Sequence, residues 1–261
     1  MAKPKALLFA IQKGGQGKSM LSTHTAFLAA ERGKKVLAAD LDGQGTFSRN
    51  LVPDEFDRDT APSLSLFTGT QRAPMPISLP YRTDGTISLM SGDRRLVQVD
   101  ENPKIAVETL RTRLDKCAAG ADLVVLDPPP TLGKRLRAAL IAADFVVMPF
   151  VPARESVDGL GDLMDTIEEV KQEYNPNLKV IGLLANMVNS RSGFDRRILD
   201  DLQAAAPDML LPMMIHDRTS ISGAMASSRP VWQGSQGESQ KKAGAEVRQA
   251  LNHILDTVFK N

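Results

Sequence analysis

A chain of 261 residues with 32 Lys and Arg against 31 Asp and Glu has a formal net charge of +1, so no global field draws it to nucleic acid or anionic lipid. Its 42% hydrophobic and 24% charged residues exclude a disordered or fibrous chain, and its length fits a single domain spanning 1–261. The lone Cys117 excludes an intramolecular disulfide framework and paired-cysteine metal sites, and suits a small buried residue.

The N-terminus, Met1-Ala2-Lys3-Pro4-Lys5, runs straight into an apolar stretch without a signal-peptide pattern, which predicts a cytoplasmic protein. The element order is strand then helix, repeated, which predicts an α/β fold: a mostly parallel, doubly wound sheet flanked by helices. Ala6 to Ile11 reads as a first buried strand. A glycine-rich loop follows and opens a helix from about Ser19 to Arg32, ended by Gly33. Val36 to Leu41 is the second strand. From Asn50 to Arg82, prolines and mixed periodicity predict only short helical pieces and loops.

Thr86 to Met90 is a short strand, Val107 to Lys116 a helix, and Leu123 to Leu126 a buried strand that delivers Asp127. Lys134 to Ala142 reads as helix and Phe145 to Val151 as strand. The longest apolar run, Ala138 to Val151, is broken by Asp144 and falls short of the roughly 20 residues a membrane-spanning helix needs. Ser156 to Tyr174 places Val157, Leu160, Leu163, Met164, Ile167 and Val170 at helical spacing, facing the core. Val180 to Asn186 and Leu210 to Ile215 are the last strands, with Asp195 to Ala206 a helix between them and Lys241 to Phe259 a closing helix. Gln233 to Gln240 is a short polar stretch of low complexity.

The segment Lys13-Gly14-Gly15-Gln16-Gly17-Lys18-Ser19 carries the strongest chemical signal. Glycines between a strand and a helix let several backbone N–H groups converge on phosphate oxygens, and the helix N-terminus adds partial positive charge. Lys18 supplies a full charge to the β- and γ-phosphates, and the Ser19 hydroxyl can ligate Mg²⁺. Gly14, Gly15, Gln16, Gly17, Lys18, Ser19 and Met20 are thus nucleotide-binding candidates. The general motif asks for glycine where Gln12 stands, and Lys13 is an additional lysine.

That combination resembles the deviant Walker A loop of the ParA/MinD family of ATPases. The resemblance implies ATP and Mg²⁺ as cofactors, an ATP-bound homodimer, and a trans role for Lys13 at the partner's phosphates. Asp127-Pro128-Pro129-Pro130-Thr131-Leu132-Gly133 resembles the family's Asp-x-Pro-Pro-Ser-Leu-Gly switch, which makes Asp127 a metal-site candidate at the carboxyl end of its strand. Asp40-Leu41-Asp42-Gly43-Gln44-Gly45 resembles the Asp-x-Asp-Pro-Gln-Gly segment, with Gly43 in place of proline. There Asp42 is implied to activate the attacking water near the metal, alongside Lys13 and Lys18 as catalytic candidates. Strand alternation puts Asp40 and Asp42 on one face, and Gly43 predicts a more flexible switch.

The resemblance continues through Ala142 to Pro149, Asp158-Gly159-Leu160, Gly182 to Asn186, Arg229-Pro230-Val231 and Gly244-Ala245-Glu246. Arg154 stands where relatives often carry an aromatic. Asn186 is an adenine-contact candidate, with a capping or turn role as the alternative. Ile215-His216-Asp217-Arg218 keeps only the isoleucine of a family loop near the adenine. Trp232 is expected to pack on the final helix, and His24, His216 and His253, lacking metal-ligand spacing, are expected on the surface or in the core.

Three uses of the family's ATP chemistry divide on residues outside the phosphate loop. Reductive metal-centre chemistry needs cluster cysteines, which one Cys117 does not supply. Membrane cycling needs a basic amphipathic C-terminal helix, whereas Val247, Leu251, Ile254, Leu255, Val258 and Phe259 form a stripe suited to packing. Non-specific DNA binding needs clustered cations, and the last third offers Arg191, Arg196, Arg197, Arg218, Arg229, Lys241 and Lys242, unless these are scattered solvated charges. With strand one at Ala6, no N-terminal helix-turn-helix is expected. The expectation is a partition-type ATPase, nucleoid-associated, working with a ParB-like partner; MinD-like membrane positioning and a metabolic ATPase are the alternatives.

Overall fold

The computed structural model describes residues 3–52, 60–68, 75–77, 83–234 and 237–260. Strands β1 (Lys5–Phe9), β2 (Lys35–Asp40), β3 (Met75–Ile77), β4 (Thr86–Met90), β5 (Leu123–Asp127), β6 (Phe145–Phe150), β7 (Lys179–Val188) and β8 (Leu210–His216) form one sheet in the order β3-β4-β2-β5-β1-β6-β7-β8. Every pairing is parallel except that of β3, an antiparallel edge strand whose Pro76 an edge can tolerate. The helices are α1 (Lys18–Glu31), α2 (Thr46–Leu51), α3 (Ser65–Thr68), α4 (Val97–Glu101), α5 (Thr109–Cys117), α6 (Lys134–Ala142), α7 (Arg154–Glu173), α8 (Gly193–Ala205), α9 (Thr219–Met225) and α10 (Glu238–Lys260).

Strand alternation divides the core in two. Leu8, Leu37, Val124 and Leu126 meet Leu114, Leu136, Leu163 and Ile167 from α5, α6 and α7 on one face. Leu7, Phe9, Ala38 and Val125 meet Phe27, Phe47, Leu251 and Ile254 from α1, α2 and α10 on the other. Helices on both faces make the sheet doubly wound, as the alternating order of runs predicts. In α7, Leu163, Ile167 and Val170 are buried, while Val157, Leu160 and Met164 are half-buried.

Long, strongly patterned elements lie within three residues of their expected limits. The short ones, α2, α4, α9 and a 3₁₀ turn at Arg94–Leu96, span too few residues for periodicity to register. Of the stretch expected to hold short helical pieces, α3 is one, and residues 53–59, 69–74 and 78–82 lie outside the described residues, as do 235–236 of the polar stretch. Cys117 is half-buried, not fully buried. Trp232 packs on α10 as expected, with Gly244 passing so close that a Cβ there would lie 3.0 Å from the Trp232 Cα. Among the described residues, no helix is long and apolar enough to cross a membrane.

Candidate functional site

The order β2-β5-β1 brings three adjacent strand ends to one edge of the sheet, each followed by a loop of chemical interest. After β1, the loop turns into α1 through Gly15 and Gly17, both with φ of 81°, in the left-handed region that glycine tolerates. A Cβ on Gly17 would overlap the Asn186 amide. The loop is fastened from outside: Asn186 Nδ2 donates to Gln16 O at 2.8 Å and Gln16 Nε2 donates to Ser156 Oγ at 2.7 Å. Gln12, the departure from the simple motif, donates to Asp162 Oδ2 of α7 at 2.9 Å. Gly159 permits that approach, because a Cβ there would overlap Gln12. Gly14, Gly15 and Lys13 are exposed.

Lys18 opens α1, and its Nζ lies 2.8 Å from Asp127 Oδ1, with side-chain exposures of 4% and 0%. Among the described residues, that ammonium has Asp127 as its ion-pair partner and finds no further hydrogen-bond acceptor. A buried cation with unused donors beside a glycine-rich turn fits an anion such as a nucleotide phosphate. Ser19 Oγ donates to Asp127 Oδ2 at 2.7 Å, and Ser22 Oγ donates to Oδ1 at 2.8 Å. Ser22 is a partner the motif alone does not reveal; its one-turn spacing from Lys18 and Ser19 is the available signal. Among the described residues, no three His, Cys, Asp or Glu side chains gather as a metal cage. The Ser19 hydroxyl and Asp127 carboxylate are oxygen donors of the kind a hard cation such as magnesium takes beside phosphate and water oxygens.

Asp40 and Asp42 differ in a way alternation does not predict. Asp40 ends β2, in register with Asp127, and is fully buried. Its Oδ2 accepts from Ser48 N and Ser48 Oγ, both at 2.8 Å, and its Oδ1 accepts from Asp42 N at 3.1 Å. Burial, reinforced by the Asp127 carboxylate beside it, pushes Asp40 up to about 7. The strand stops there, so the same-face expectation for Asp42 does not apply. Asp42 sits half-buried in the following turn, its Oδ1 accepting from Gln44 N at 3.0 Å, and lines the cleft. Gly92 closes against both: a Cβ there would lie 2.5 Å from Asp42 O and 2.7 Å from Asp40 Oδ1.

These residues border a cleft of about 640 Å³ that includes Gly14, Gly15, Gly17, Lys18, Ser19, Met20, Asp42 and Asn186. Its other wall is Met187, His216, Asp217, Arg218, Ile221 and Met225. Met187 adopts φ of 54°, uncommon for a side chain of this size. Among the described residues, the buried Asn186 Oδ1 has no hydrogen-bond partner, which leaves an acceptor in the cleft wall. His216, expected on the surface or in the core, is half-buried and lines the cleft. Glu246 of α10 pins this wall: Arg218 Nη2 donates to Oε1 at 2.7 Å and His216 N donates to Oε2 at 3.1 Å. Burial works upward on Glu246, but the Arg218 and His216 contacts outweigh it and hold its carboxyl below the usual range.

The basic candidates separate. Arg191, Arg196 and Arg197 are exposed in the β7–α8 connection and the first turn of α8. Arg218 is half-buried in the cleft and paired with Glu246, so its guanidinium is engaged away from that group. His24 lies in the core and His253 is exposed.

Comparisons with known proteins carry the same pattern. Residues 4–180 match the AAA domain family. Protein IncC of Escherichia coli is 34% identical over 266 residues, covering 96% of this chain and 69% of IncC. The chromosome-partitioning ATPase Soj of Thermus thermophilus is 32% identical over 203 residues, covering 78% of this chain and 77% of Soj. The chain belongs to the ParA/MinD-type P-loop ATPases. Cobyrinic acid a,c-diamide synthase of Mycobacterium smegmatis, solved with ADP and magnesium, superposes with a TM-score of 0.75 at 25% identity, covering 97% of this chain and 94% of that one. Family membership accounts for the shared phosphate loop and sheet. Gln12 departs from the general phosphate-loop motif, and Gly43 and the His216-Asp217-Arg218 wall depart from the family's segments.

Proposed function

We propose that the chain is a DNA-partition ATPase whose nucleotide-bound homodimer holds DNA without sequence preference and lets go on hydrolysis, triggered by a ParB-like partner. The observation that carries the ATPase half is the cluster of Lys18, Ser19 and Asp127 under a glycine-rich loop. The partition half is supported by the similarity to Soj and by the exposed Arg191, Arg196 and Arg197 at the β7–α8 connection and the start of α8. On this reading the protein works on the nucleoid in the cytoplasm, as one domain.

In the proposed chemistry the loop N–H groups and Lys18 bind and orient the phosphates, and Ser19 and Asp127 hold magnesium with Asp42 near it. Magnesium, when bound, would draw charge from the phosphate oxygens. Asp42 would orient the attacking water from the β2 side, Asn186 Oδ1 would accept a hydrogen from the adenine amino group, and Lys13 would reach the phosphates of a second copy. Asp217 and Met187, which line the same cleft as Asn186, would border the base. A metabolic role is the second reading, favoured by the 25% identity to the cobyrinic acid a,c-diamide synthase.

Co-sedimentation with plain duplex DNA and with anionic vesicles, with and without ATP, tests the proposal. ATP-dependent DNA binding, weakened in Arg196→Ala with Arg197→Ala and with a flatter salt dependence, is expected. Binding to vesicles alone would assign a membrane role, and binding to neither would favour the metabolic one.

A further inference from the structure

Asp42 lies beyond the last rung of β2 and is followed by Gly43, whose backbone has the widest conformational freedom, so something outside the strand must hold the turn. Asp40 Oδ1 accepts from Asp42 N at its start and Arg49 of α2 donates to Gln44 O at its far side; the tie to the Asp127 side of the site is Arg135, in the first turn of α6. Its Nη1 donates to Leu41 O at 3.2 Å, its Nε donates to Asp100 Oδ2 at 2.7 Å, and its backbone N–H donates to Asp100 Oδ1 at 3.2 Å. The Arg135 side chain is only 10% exposed. Asp100 reaches it because position 133 is glycine; a Cβ there would lie 2.9 Å from Asp100 Oδ1.

Leu41 O belongs to the planar peptide that leads into Asp42, so fixing that carbonyl sets the direction in which Asp42 leaves the strand. The amide of Leu41 donates to Asp127 O at 3.0 Å. Residue 41 is thus held on one side by the strand that carries Asp127 and on the other by the helix that follows it. Burying a guanidinium is costly and a buried ion pair is weak evidence for stability, whereas the hydrogen bond to Leu41 O is a direct hold on the Asp42 turn, which points to placement.

We propose that Arg135, braced by Asp100, is a positioning residue for ATP hydrolysis: it ties the Asp42 turn to the helix behind Asp127 and so fixes how the two carboxylates face the bound phosphates. This rests on the reading of Asp42 as the residue that orients water. Arg135 touches no reacting atom and acts through Asp42.

The test is single-turnover ATP hydrolysis, affinity for a fluorescent ATP analogue, and thermal melting, on Arg135→Met, Arg135→Lys, Asp100→Asn, Asp42→Ala and the Arg135→Met/Asp42→Ala double variant. Arg135→Met should hydrolyse about tenfold or more slowly while affinity stays within about twofold, because misplacement costs rate more than ground-state binding. Arg135→Lys, which keeps one donor and the charge, should recover part of the rate. The double variant should be no slower than Asp42→Ala, since residues acting as a unit are not additive. A wild-type rate in Arg135→Met, a parallel loss of rate and affinity, or a multiplicative loss in the double variant would overturn the proposal. Should Arg135→Met not fold, Asp100→Asn and Arg135→Lys decide it: slowed hydrolysis at unchanged affinity supports the tether, and unchanged hydrolysis rejects it. An Asp42→Ala variant that turns over normally overturns the underlying reading together with the tether; a slow Asp42→Ala beside a normal Arg135→Met overturns the tether alone.

Discussion

The buried contact between Lys18 and Asp127 sets the energetics of the site before any ligand arrives. Asp127 is fully buried, in register with an equally buried Asp40, and Lys18 is the cation beside them. Removing one partner of such a pair strands the other charge, at a cost of about 3–5 kcal/mol. Lys18→Ala should therefore lower the melting temperature of the nucleotide-free protein as well as abolish binding of an ATP analogue. Full affinity would show that the loop is not the phosphate site, and unchanged melting would show that Lys18 does not compensate Asp127. At this scale the sequence names the loop glycines, Lys18, Ser19 and Asp127, because their chemistry depends on a short local spacing. Ser22 offers only its one-turn spacing from Lys18 and Ser19, and the sequence is silent on Ser48, Gly92 and Arg135, which reach the site from other elements and become partners only when the sheet brings β2, β4 and β5 side by side. It also misplaces Asp42 relative to Asp40, since alternation holds only while the strand lasts, and β2 ends at Asp40.

Helix α1 does more than carry the phosphate loop; it joins the loop to the C-terminal part of the fold. His24 Nδ1 donates to Met20 O at 2.9 Å while Nε2 accepts from Val231 N at 3.0 Å, an arrangement that requires a neutral ring. Trp232 Nε1 donates to Glu31 Oε1 at 2.8 Å, fastening the other end of the helix to the same connection. Burial pushes His24 down to about 4 from 6.5, against the pull of the Met20 carbonyl. A base whose folded pKa is depressed stabilises the fold fully above its unfolded value, and this stability drains away as pH falls from about 6.5 through 4. The shift corresponds to on the order of 3 kcal/mol. His24→Gln, which can still donate and accept, should melt lower at pH 7 yet lose less on acidification to pH 4.5, so the two melting curves converge. Parallel pH profiles would show that His24 does not titrate as described. The strands and long helices were legible because burial on two faces writes strict patterns into them; the His24 link was not, because a single histidine on a helix carries no trace of a partner at Val231.

The molecule as a whole presents a net charge of +1 and one cleft that contains the nucleotide-type residues, with Lys13 exposed at the start of the loop. A lone monomer with three exposed arginines at the β7–α8 connection offers few phosphate contacts, whereas a two-fold dimer doubles them without any change in fold. Since each neutralised phosphate adds roughly 0.9 to the salt slope of DNA binding, a dimer would hold DNA more tightly at low salt, and with a steeper salt dependence, than a monomer. On the proposed reading, Lys13 would be the residue through which nucleotide controls that step, because a cation placed at the partner's phosphates would reward association only when ATP is present. Sedimentation velocity of Asp42→Ala with ATP and magnesium should show a dimer stabilised by slow hydrolysis. Adding Lys13→Ala should return it to monomer while the ATP analogue still binds, and DNA affinity should fall with the dimer. A dimer that persists without Lys13 would move the ATP sensor to another surface and leave the arginines to act on the monomer.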